Sequence, residues 1–510
     1  MSLVSKVGRK RPRARFALAV LYTILTIGAI TTLYPFLLMV SIGLKGPTDQ
    51  NDNILIPKYF GDDQELLTKY LDDKYAGEAG IIGSTRTGLA SQVTSQFDEF
   101  VMSLPLEMWT AGFRLAPNQV SSKLMVRYQG WLRTKFKDVD DLNKVYVEEN
   151  VAFQTVMPPS ELLERATWKP SPGQKYNDWL VFKATLPGEF RIPVRQTRLW
   201  QEYLRVKYRN RIDDVPTLFK AGSEKKFEEL PLRIIPDNAD GNEFRTKIPE
   251  RYRAGTAEAL WAKVSDQPMP IEASERTFVA THRNALKQEY ATRNYRYVLD
   301  YVLLHGRAVL NTIIFCSLAV LTQLIVNPLA AYALSRYPIK SSGKILLFLL
   351  ATMAFPAEVA MIPSFLLLKD LGLLNTFAAL ILPSAASGYM IFLLKGFFDS
   401  LPIELFEAGQ LDGAKETTLL MRIAVPLSRP VLGYLALMAF MASYSTFMFA
   451  FLVVQDQKMW TLMVWVYQLQ TTAPKAVVMA ALALAALPTL VVFLFAQRVI
   501  MRGIVLPGER

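Results

Sequence analysis

The chain has 510 residues, of which 51% are hydrophobic, with a formal net charge of +12 and a pI of about 9.4. Residues 45–305 hold 37 Lys and Arg against 36 Asp and Glu, so the basic excess lies in the more apolar remainder. A nucleic-acid-binding protein carries its basic residues on a soluble surface, so this class is excluded. The one cysteine, Cys316, lies in an apolar run, which excludes a disulfide within the chain.

Six segments are long and apolar enough to cross a bilayer, which requires about 20 mainly apolar helical residues. The first could be a signal peptide, but it is too long and has no evident cleavage site, so we interpret it as a retained helix. We expect transmembrane helices at residues 16–44, 308–334, 345–368, 374–394, 431–454 and 476–500.

Basic residues beside these segments predict their orientation, because Lys and Arg near the ends of a span are retained on the cytoplasmic side. A cluster from Arg9 to Arg15 precedes the first segment and places the N-terminus inside. Alternating the spans from there puts most of the other basic flanks inside as well. Both termini are therefore expected in the cytoplasm, with residues 45–305 outside.

Polar residues within the predicted spans are candidates for function or for packing. Glu358 lies between Pro356 and Pro363 in the third span, and an ionisable residue in a membrane is a functional candidate by default. It either lines a pathway or braces a broken helix near the outer interface. The amides of the second span we interpret as contacts between helices rather than substrate ligands. They are Asn311, Gln323 and Asn327.

The connection between the fourth and fifth spans, residues 399–430, predicts two short helices. Ser400 is expected to cap the first of them, and Gly413 suits the chain reversal that follows. The second is expected over residues 417–423, ended by Pro426.

This loop resembles the EAA loop of ABC-importer permeases, which reads EAAxxDGA followed by IxLP. The matching residues are Glu407, Ala408, Gly409, Asp412, Gly413, Ala414, Ile423 and Pro426. In that family the loop is a coupling helix that docks on an ATPase subunit and transmits its closure to the membrane helices. The resemblance implies that Glu407 is the docking acid and Gly413 the pivot. Gly409 and Val425 depart from the pattern, but each is similar in character to the usual residue.

The resemblance extends over residues 294–510, which are similar to the smaller of the two permeases in maltose-type carbohydrate importers. The segments that match are NYRYVL, AYALSRYP, FPAEVAMIPSF, LGLLNTF and QRVIMRG. It implies an all-α membrane protein with the six transmembrane helices of a type I ABC importer. Many relatives have Trp-Asn in the fifth helix where this chain has Tyr444 and Ser445, which we keep with Glu358 as candidate pathway-lining residues. The tail GIVLPGER lacks the usual glycine-rich ending.

The implied function is that of a non-catalytic permease subunit in the bacterial inner membrane, forming half of a pathway for a sugar or oligosaccharide. The implied partners are an ABC ATPase dimer, a second permease that is a homologue or another copy of this chain, an extracytoplasmic solute-binding protein and membrane lipid. No GxxxxGK[ST] motif is present, so ATP hydrolysis is expected on a partner. No cofactor, metal or nucleic acid is expected. Alternatives are an importer of another small solute, and a membrane-tethered glycan-binding protein or hydrolase.

Residues 45–293 have no run long enough to span a membrane, and their aromatic content suffices for a folded core. We expect a soluble inserted domain that is mainly α or α+β, between residues 1–44 and 294–510. Residues 131–159 and 203–232 form an internal repeat, each copy predicting a helix, an acidic turn and a second helix. The repeat is similar to helical segments of some beta-galactosidase-type glycoside hydrolases. The segment DWLVFKATLPGEFRIPV between the copies predicts strands.

The function of the insert depends on side chains whose distances the sequence does not give. Glu161, Glu164 and Glu189 are available as acids for a hydrolase, which requires a defined separation between two carboxylates. The Asp pairs at 140–141 and 213–214 we interpret as helix caps rather than metal ligands. Our hypothesis for the insert is a docking or gating domain for the solute-binding protein.

Overall fold

The computed structural model describes residues 12–78, 91–116, 119–150, 152–222, 224–232, 235, 237, 239–301, 306–354 and 356–503. Most of the predicted N-terminal basic cluster and the tail after residue 503 lie outside this range. The chain divides into two compact units: residues 1–298 with 473–480, and residues 299–472 with 481–510.

The first unit is mostly helical and has two small antiparallel sheets. Strand β1 (Trp109–Ala111) pairs with β4 (Arg191–Pro193), and β2 (Arg114–Ala116) pairs with β3 (Gln119–Val120). Its helices are α1 (Pro12–Gly43), α2 (Asp63–Tyr75), α3 (Ser91–Ser103), α4 (Ser122–Lys135), α5 (Val139–Tyr146), α6 (Gln174–Ala184), α7 (Gln196–Lys207), α8 (Ala239–Lys247), α9 (Ala257–Trp261), α10 (Ile271–Thr281) and α11 (Arg283–Leu299).

The strand prediction for residues 178–194 is wrong for most of that segment. Residues 178–184 belong to α6, and only Arg191–Pro193 is a strand. Trp179, Phe182 and Lys183 are all buried, which is the i, i+3, i+4 spacing of one helix face rather than the alternation of a strand.

The two copies of the repeat begin alike and then diverge. Helices α4 and α7 are equivalent, and α5 follows α4 as predicted. In the second copy the expected second helix is replaced by two 3₁₀ turns, Ile212–Asp214 and Thr217–Phe219. Pro216 lies between them and cannot continue a helix, because its ring removes the backbone donor. The helix prediction for this segment was therefore wrong.

The capping role predicted for the Asp pairs is also wrong. Asp138, not the pair after it, is the N-cap of α5, and its carboxylate accepts a hydrogen bond from the Asp141 N–H at 2.8 Å. Asp140 and Asp141 lie in the first turn of that helix. The second pair belongs to the 3₁₀ turn that ends at Asp214.

Equivalent glutamines hold the two copies in the same way. The side-chain amide of Gln129 in α4 donates to the backbone oxygen of Gln154 at 2.9 Å. Gln201, at the matching position of α7, donates to the backbone oxygens of Glu228 and Leu230, each at 2.9 Å. Each acceptor lies in or next to a 3₁₀ turn, Phe153–Thr155 or Phe227–Glu229. The repeat is thus a structural one.

A proline turn reveals a third, partial copy. At three places a proline carbonyl accepts a 2.9 Å hydrogen bond from the backbone N–H three residues later, and a short helix or strand follows. The pairs are Pro105 with Met108, Pro187 with Phe190 and Pro249 with Tyr252. In each copy, an aromatic residue on the helix after the turn packs against a phenylalanine that precedes one of the other turns. That phenylalanine lies five residues before the proline of its turn, and a leucine or isoleucine lies directly before that proline. These pairs are Tyr128–Phe182, Trp200–Phe244 and Trp261–Phe100. The last pair joins the third copy back to α3, so the contacts close on themselves.

The two ends of the predicted insert are hydrogen-bonded to each other. The side-chain amide of Asn294 in α11 donates to the backbone oxygens of Gly43 at 3.0 Å and Lys45 at 2.6 Å. The Tyr295 hydroxyl donates to the Val40 oxygen at 3.0 Å. The chain therefore leaves this region beside the point where it enters.

The second unit is helical throughout its described residues and includes a π turn at Leu420–Ala424. The chain runs through α12 (Ala308–Arg336), α13 (Ser342–Thr352), α14 (Ala357–Asp370), α15 (Phe377–Ile381), α16 (Gly388–Asp399), α17 (Glu404–Leu411), α18 (Glu416–Leu419), α19 (Val425–Leu427), α20 (Arg429–Ser445), α21 (Met448–Val453), α22 (Leu462–Thr472) and α23 (Lys475–Gly503).

Within the described residues, three single helices are long and apolar enough to cross a membrane: residues 15–43, 308–336 and 475–497. Two bent pairs raise the number to five, residues 377–384 with 388–399 at 50° and residues 416–427 with 429–445 at 83°. The predicted third span, 345–368, is divided between α13 and α14, and Pro356 precedes α14. The count of six spans remains a prediction.

Helix α12 is central to the second unit and packs against α16 and α20. The Asn327 side-chain oxygen accepts a hydrogen bond from the Ser387 N–H at 2.8 Å, just before α16. The Asn311 amide donates to the backbone oxygens of Lys458 at 2.9 Å and Trp460 at 3.0 Å. The interpretation of these two residues as contacts between segments is confirmed, and Gln323 is buried on the same helix.

Candidate functional site

The candidate site is formed by helices α17, α18 and α19, which connect α16 to α20. The predicted cap of the first of these is wrong: Ser400 ends α16, and its hydroxyl donates to the Phe397 oxygen at 2.7 Å. Its backbone remains in the right-handed helical region, whereas an N-cap residue is extended. Helix α17 begins after Ile403 with no side-chain cap.

Pro426 does not end the second helix as expected. Helix α18 passes through the π turn at 420–424 into α19, which contains Pro426 and ends at Leu427. A π turn shifts the hydrogen-bond register by one residue, and such turns occur frequently at functional sites. Pro430 lies in the first turn of α20.

Gly413 ends α17 in a Schellman motif. Its φ is +77°, a conformation that side chains disfavour. The Gly413 N–H donates to the Gln410 oxygen at 2.9 Å, and the Ala414 N–H donates to the Gly409 oxygen at 3.0 Å. The chain reversal predicted from this glycine is confirmed, and it directs α18 back against α17.

Gly409 lies where the two short helices touch. A Cβ atom at this position would lie 2.5 Å from Leu419 Cδ2 and 3.4 Å from Ile423 Cδ1. Contacts below 3.0 Å require a neighbouring atom to move. Glycine at position 409 therefore allows α17 to pack closely on α18 in this chain.

The helices present one buried face and one exposed face. Phe406, Leu419 and Leu420 join a core with residues of α12 and α16, including Ala331 and Phe398. Gly409, Ala414, Ile423 and Pro426 are half-buried along the edge of that core. The exposed face has Glu407, Ala408, Asp412 and Gly413, together with Leu411, whose side chain is 90% exposed. The eight motif residues thus divide into an inner edge and an outer surface.

Arg336, at the end of α12, contacts both the end of α16 and the helix α17. Its Nη2 donates to the Phe398 oxygen at 2.6 Å and to the Leu401 oxygen at 3.4 Å. Its guanidinium carbon lies 3.8 Å from the centroid of the Phe406 ring. Sequence reasoning did not identify this residue as part of the site, although it lies in the quoted segment AYALSRYP.

Two further side chains of α12 contact the site. The Tyr332 hydroxyl donates to Glu416 at 3.0 Å, at the start of α18. The Ser335 hydroxyl donates to Asp399 at 2.7 Å, and Asp399 also pairs with Lys395 at 2.6 Å. Tyr332 and Arg336 thus hold α18 and α17 against one end of α12, and Ser335 holds the end of α16 there.

The candidate pathway residues occupy different environments. Tyr444 is buried, and its hydroxyl donates to the Ala485 oxygen of α23 at 2.6 Å. Ser445 is exposed at the end of α20. Glu358 is exposed in the first turn of α14, after Pro356. Among the described residues no hydrogen bond or ion pair joins Glu358 to the other two, and the pathway role remains a prediction for all three.

The acids considered for a hydrolase each have a cationic partner. Glu161 pairs with Lys183 at 2.9 Å and Glu164 with Arg198 at 3.0 Å. Glu189 pairs with Lys123 at 3.1 Å. A general acid of a glycosidase lies in an apolar pocket instead. Over the part of the chain that the structure describes, no group of three His, Cys, Asp or Glu residues is arranged to hold a metal.

Comparison with known proteins places the similarity in the second part of the chain. Residues 327–505 match the family model described as binding-protein-dependent transport system inner membrane component. The chain is 36% identical over 217 residues to the trehalose/maltose transport system permease MalG of Thermococcus litoralis, covering 41% of this chain and 78% of that protein. It is 31% identical over 199 residues to the probable ABC transporter permease YurM of Bacillus subtilis, covering 38% of this chain and 66% of that protein.

A solved structure is also similar. One chain of a bacterial ABC transporter involved in the import of the acidic polysaccharide alginate matches with 26% identity and a TM-score of 0.36. That match covers 40% of this chain and 78% of the other.

Proposed function

This chain belongs to the family of binding-protein-dependent transport system inner membrane components, and we propose that α17 to α19 receive the motion of a separate ATPase and pass it to α12. The transported solute is a sugar or oligosaccharide, as the name of the trehalose/maltose relative suggests. The assembly contains an ATPase dimer, a second permease subunit and an extracytoplasmic solute-binding protein.

The observation that carries this proposal is the division of the motif into two faces. An isolated amphipathic connector would bury its apolar residues and leave only polar ones in solvent. Here Leu411 is 90% exposed beside the exposed acids Glu407 and Asp412, while Phe406 is buried under Arg336. Ile403 and Leu405 of the same segment are exposed as well, and a patch of exposed apolar side chains rimmed by polar ones is typical of a protein interaction site. The buried face supplies the rigid connection that force transmission requires.

The coupling role is tested with Glu407→Lys in the complete transporter, reconstituted in proteoliposomes. Reversal of a charge at an interface changes association strongly, so we expect at least about a tenfold loss of ATPase binding and of solute uptake. Glu404→Lys is the matched control, because Glu404 is exposed on the same helix but does not belong to the motif. Equal uptake by Glu407→Lys and wild type would refute the coupling role.

The topology that we propose has six spans, both termini in the cytoplasm and residues 45–305 outside. The single cysteine makes it directly testable, because Cys316→Ser gives a cysteine-free background. A cysteine introduced at Lys340, in the loop between the second and third spans, is expected to resist a membrane-impermeant maleimide in intact cells, and one at Leu218 to react. Both residues are exposed and lie outside α17 to α19, so neither burial nor the proposed ATPase contact explains a difference. Labelling of both positions from outside would overturn the orientation.

For the inserted domain we propose docking or gating of the solute-binding protein. Its core is closed by the aromatic pairs of the three repeat copies, which gives a rigid platform. The assembled transporter should retain the binding protein on an affinity matrix, and a version that lacks residues 47–292 should not. Equal retention by the two would refute a docking role.

A further inference from the structure

A small cavity of about 110 Å³ lies in the first unit and has no part in the coupling site. Thr110 and Ile192, from the paired strands β1 and β4, form part of its wall. Tyr75 from α2 and Gln201 from α7 form other parts. The cavity therefore lies where the first two proline turns lead into their strands.

The cavity is lined by charged side chains, and its carboxylates all have cationic partners. Each lies within 4.0 Å of a lysine or arginine nitrogen, so their negative charge is already compensated. They are Glu78, Glu161, Glu164, Glu202 and Glu228.

Among the lining cations, Arg114 is the exception. Lys74, Arg198 and Arg205 are each paired with a carboxylate. Including partners behind the wall, the cluster has seven cations and six carboxylates. No carboxylate among the described residues lies within ion-pair distance of Arg114, which therefore accounts for the excess positive charge. A buried charge without a partner is costly.

One edge of the Arg114 guanidinium lacks a hydrogen-bond partner among the described residues. Its face lies over Trp179, 5.2 Å from the ring centroid, and its Nη1 donates to the Pro159 oxygen at 2.9 Å. The remaining Nε and Nη2 atoms are buried and have no hydrogen-bond partner among the described residues. Burial lowers the pKa of the guanidinium, and the nearby Glu161 carboxylate offsets this only in part.

Thr110 gives a second, independent indication. Its side chain is 7% exposed, lines the same cavity, and has a hydroxyl without a partner in the described part of the chain. Buried polar atoms are nearly always hydrogen-bonded, and an exception calls for an explanation such as a ligand. Two donor groups on the wall of one cavity thus lack acceptors.

We propose that this cavity binds a small organic carboxylate. The two oxygens of a carboxylate match the parallel N–H groups of Nε and Nη2, which is the bidentate geometry that arginine favours. The Thr110 hydroxyl donates a third hydrogen bond, and the ligand neutralises the one unpaired cation. At about 30 Å³ per water, the cavity holds roughly four waters, so the ligand is a single compact acid rather than a chain of units.

The test is calorimetric titration of the full-length chain in nanodiscs with sodium acetate, L-lactate and D-glucuronate, and with glycerol, D-glucose and sodium chloride for comparison. We expect saturable binding of at least one carboxylate and none of the neutral compounds or chloride. Arg114→Lys keeps the positive charge but removes the fork, so it should weaken binding by about tenfold or more. Arg245→Lys, at an exposed arginine, should leave binding unchanged.

Thr110→Val is a second variant that keeps the side-chain shape and removes the donor. It should weaken binding about threefold to tenfold, in line with the loss of one hydrogen bond. The proposal is overturned if no carboxylate saturates the protein at millimolar concentration, if glycerol, glucose or chloride binds as tightly, or if Arg114→Lys binds as wild type does. None of these readouts depends on transport.

Discussion

Arg336 lies over the ring of Phe406, with 3.8 Å between the guanidinium carbon and the ring centroid. The same side chain donates to the Phe398 oxygen at the end of α16. One residue of α12 therefore holds the helix before the loop and the first helix within it. Arg336 therefore links three elements, α12, α16 and α17.

Arg336→Met should uncouple ATP hydrolysis from uptake. Cation–π contacts contribute about 0.5–2 kcal/mol and hydrogen bonds from a charged donor about 1.5–3 kcal/mol, so the connection between α12 and α17 would loosen substantially. We expect solute uptake per ATP hydrolysed, measured in proteoliposomes, to fall by more than about tenfold. Arg422→Met, at an exposed arginine of the π turn, is the matched control. A proportionate fall in hydrolysis and uptake would contradict the role of Arg336.

Gly409→Ala should impair coupling, and Leu419→Ala should restore it. The added Cβ meets Leu419 Cδ2 at 2.5 Å, whereas shortening Leu419 removes that atom. We expect the single variant to lose more than half of its uptake and the double variant to regain most of it, with a coupling energy of about 0.5–3 kcal/mol. The measurement is a double-mutant cycle on uptake and on thermal unfolding. Additive losses would show that the two residues do not clash.

Leu411→Asp should abolish ATPase binding without affecting the fold. The side chain is 90% exposed, so the free energy of unfolding should change by no more than about 0.5 kcal/mol. Binding of the ATPase to the purified permease should weaken by about a hundredfold if Leu411 is an interface anchor. Leu218→Asp, at a 69% exposed leucine of the first unit, serves as the control. Unchanged ATPase affinity would exclude this face from the interface.

Glu243 should make the first unit less stable in acid. Hydrogen bonds from Lys207, then Lys247 and Tyr203, lower the pKa of its carboxyl to about 2. A lowered pKa stabilises the fold above the unfolded value of about 4.5, and this contribution is lost as the pH falls from about 5 towards 2. Because the carboxylate is well exposed, the effect should not exceed about 1 kcal/mol.

The acid effect is measured by following tryptophan fluorescence during thermal unfolding of the full-length chain at pH 6 and pH 3. Glu243→Gln should reduce the difference between the two temperatures, while Glu250→Gln, at an exposed acid of a nearby turn, should not. The idea fails if the two variants keep the same pH dependence as wild type.

Local patterns predicted the roles of two glycines in the loop between α16 and α20. Gly413 has the positive φ expected at a helix C-terminus, and Gly409 lies where a small residue is needed. Both features are set by residues within a few positions of each other. The helix ends were less predictable, because a serine before a proline can either end one helix or cap the next. Ser400 does the former.

Contacts between residues distant in sequence were not predictable. Arg336 and Phe406 are 70 positions apart, and a single sequence gives no sign that they meet. The unpaired charge of Arg114 depends on the partners of every neighbouring acid and is equally invisible. By contrast, Pro216 indicated locally that the second repeat copy would lack its second helix. The alignment of the two copies led to the opposite prediction.

The hydrogen bonds from Asn294 to Gly43 and Lys45 bring together the two ends of the roughly 250 residues that we propose as an inserted domain. A segment whose ends meet makes no geometric demand on the helices that flank it. Such a cassette can be gained or lost in a single recombination event, or exchanged in the laboratory for a fluorescent reporter.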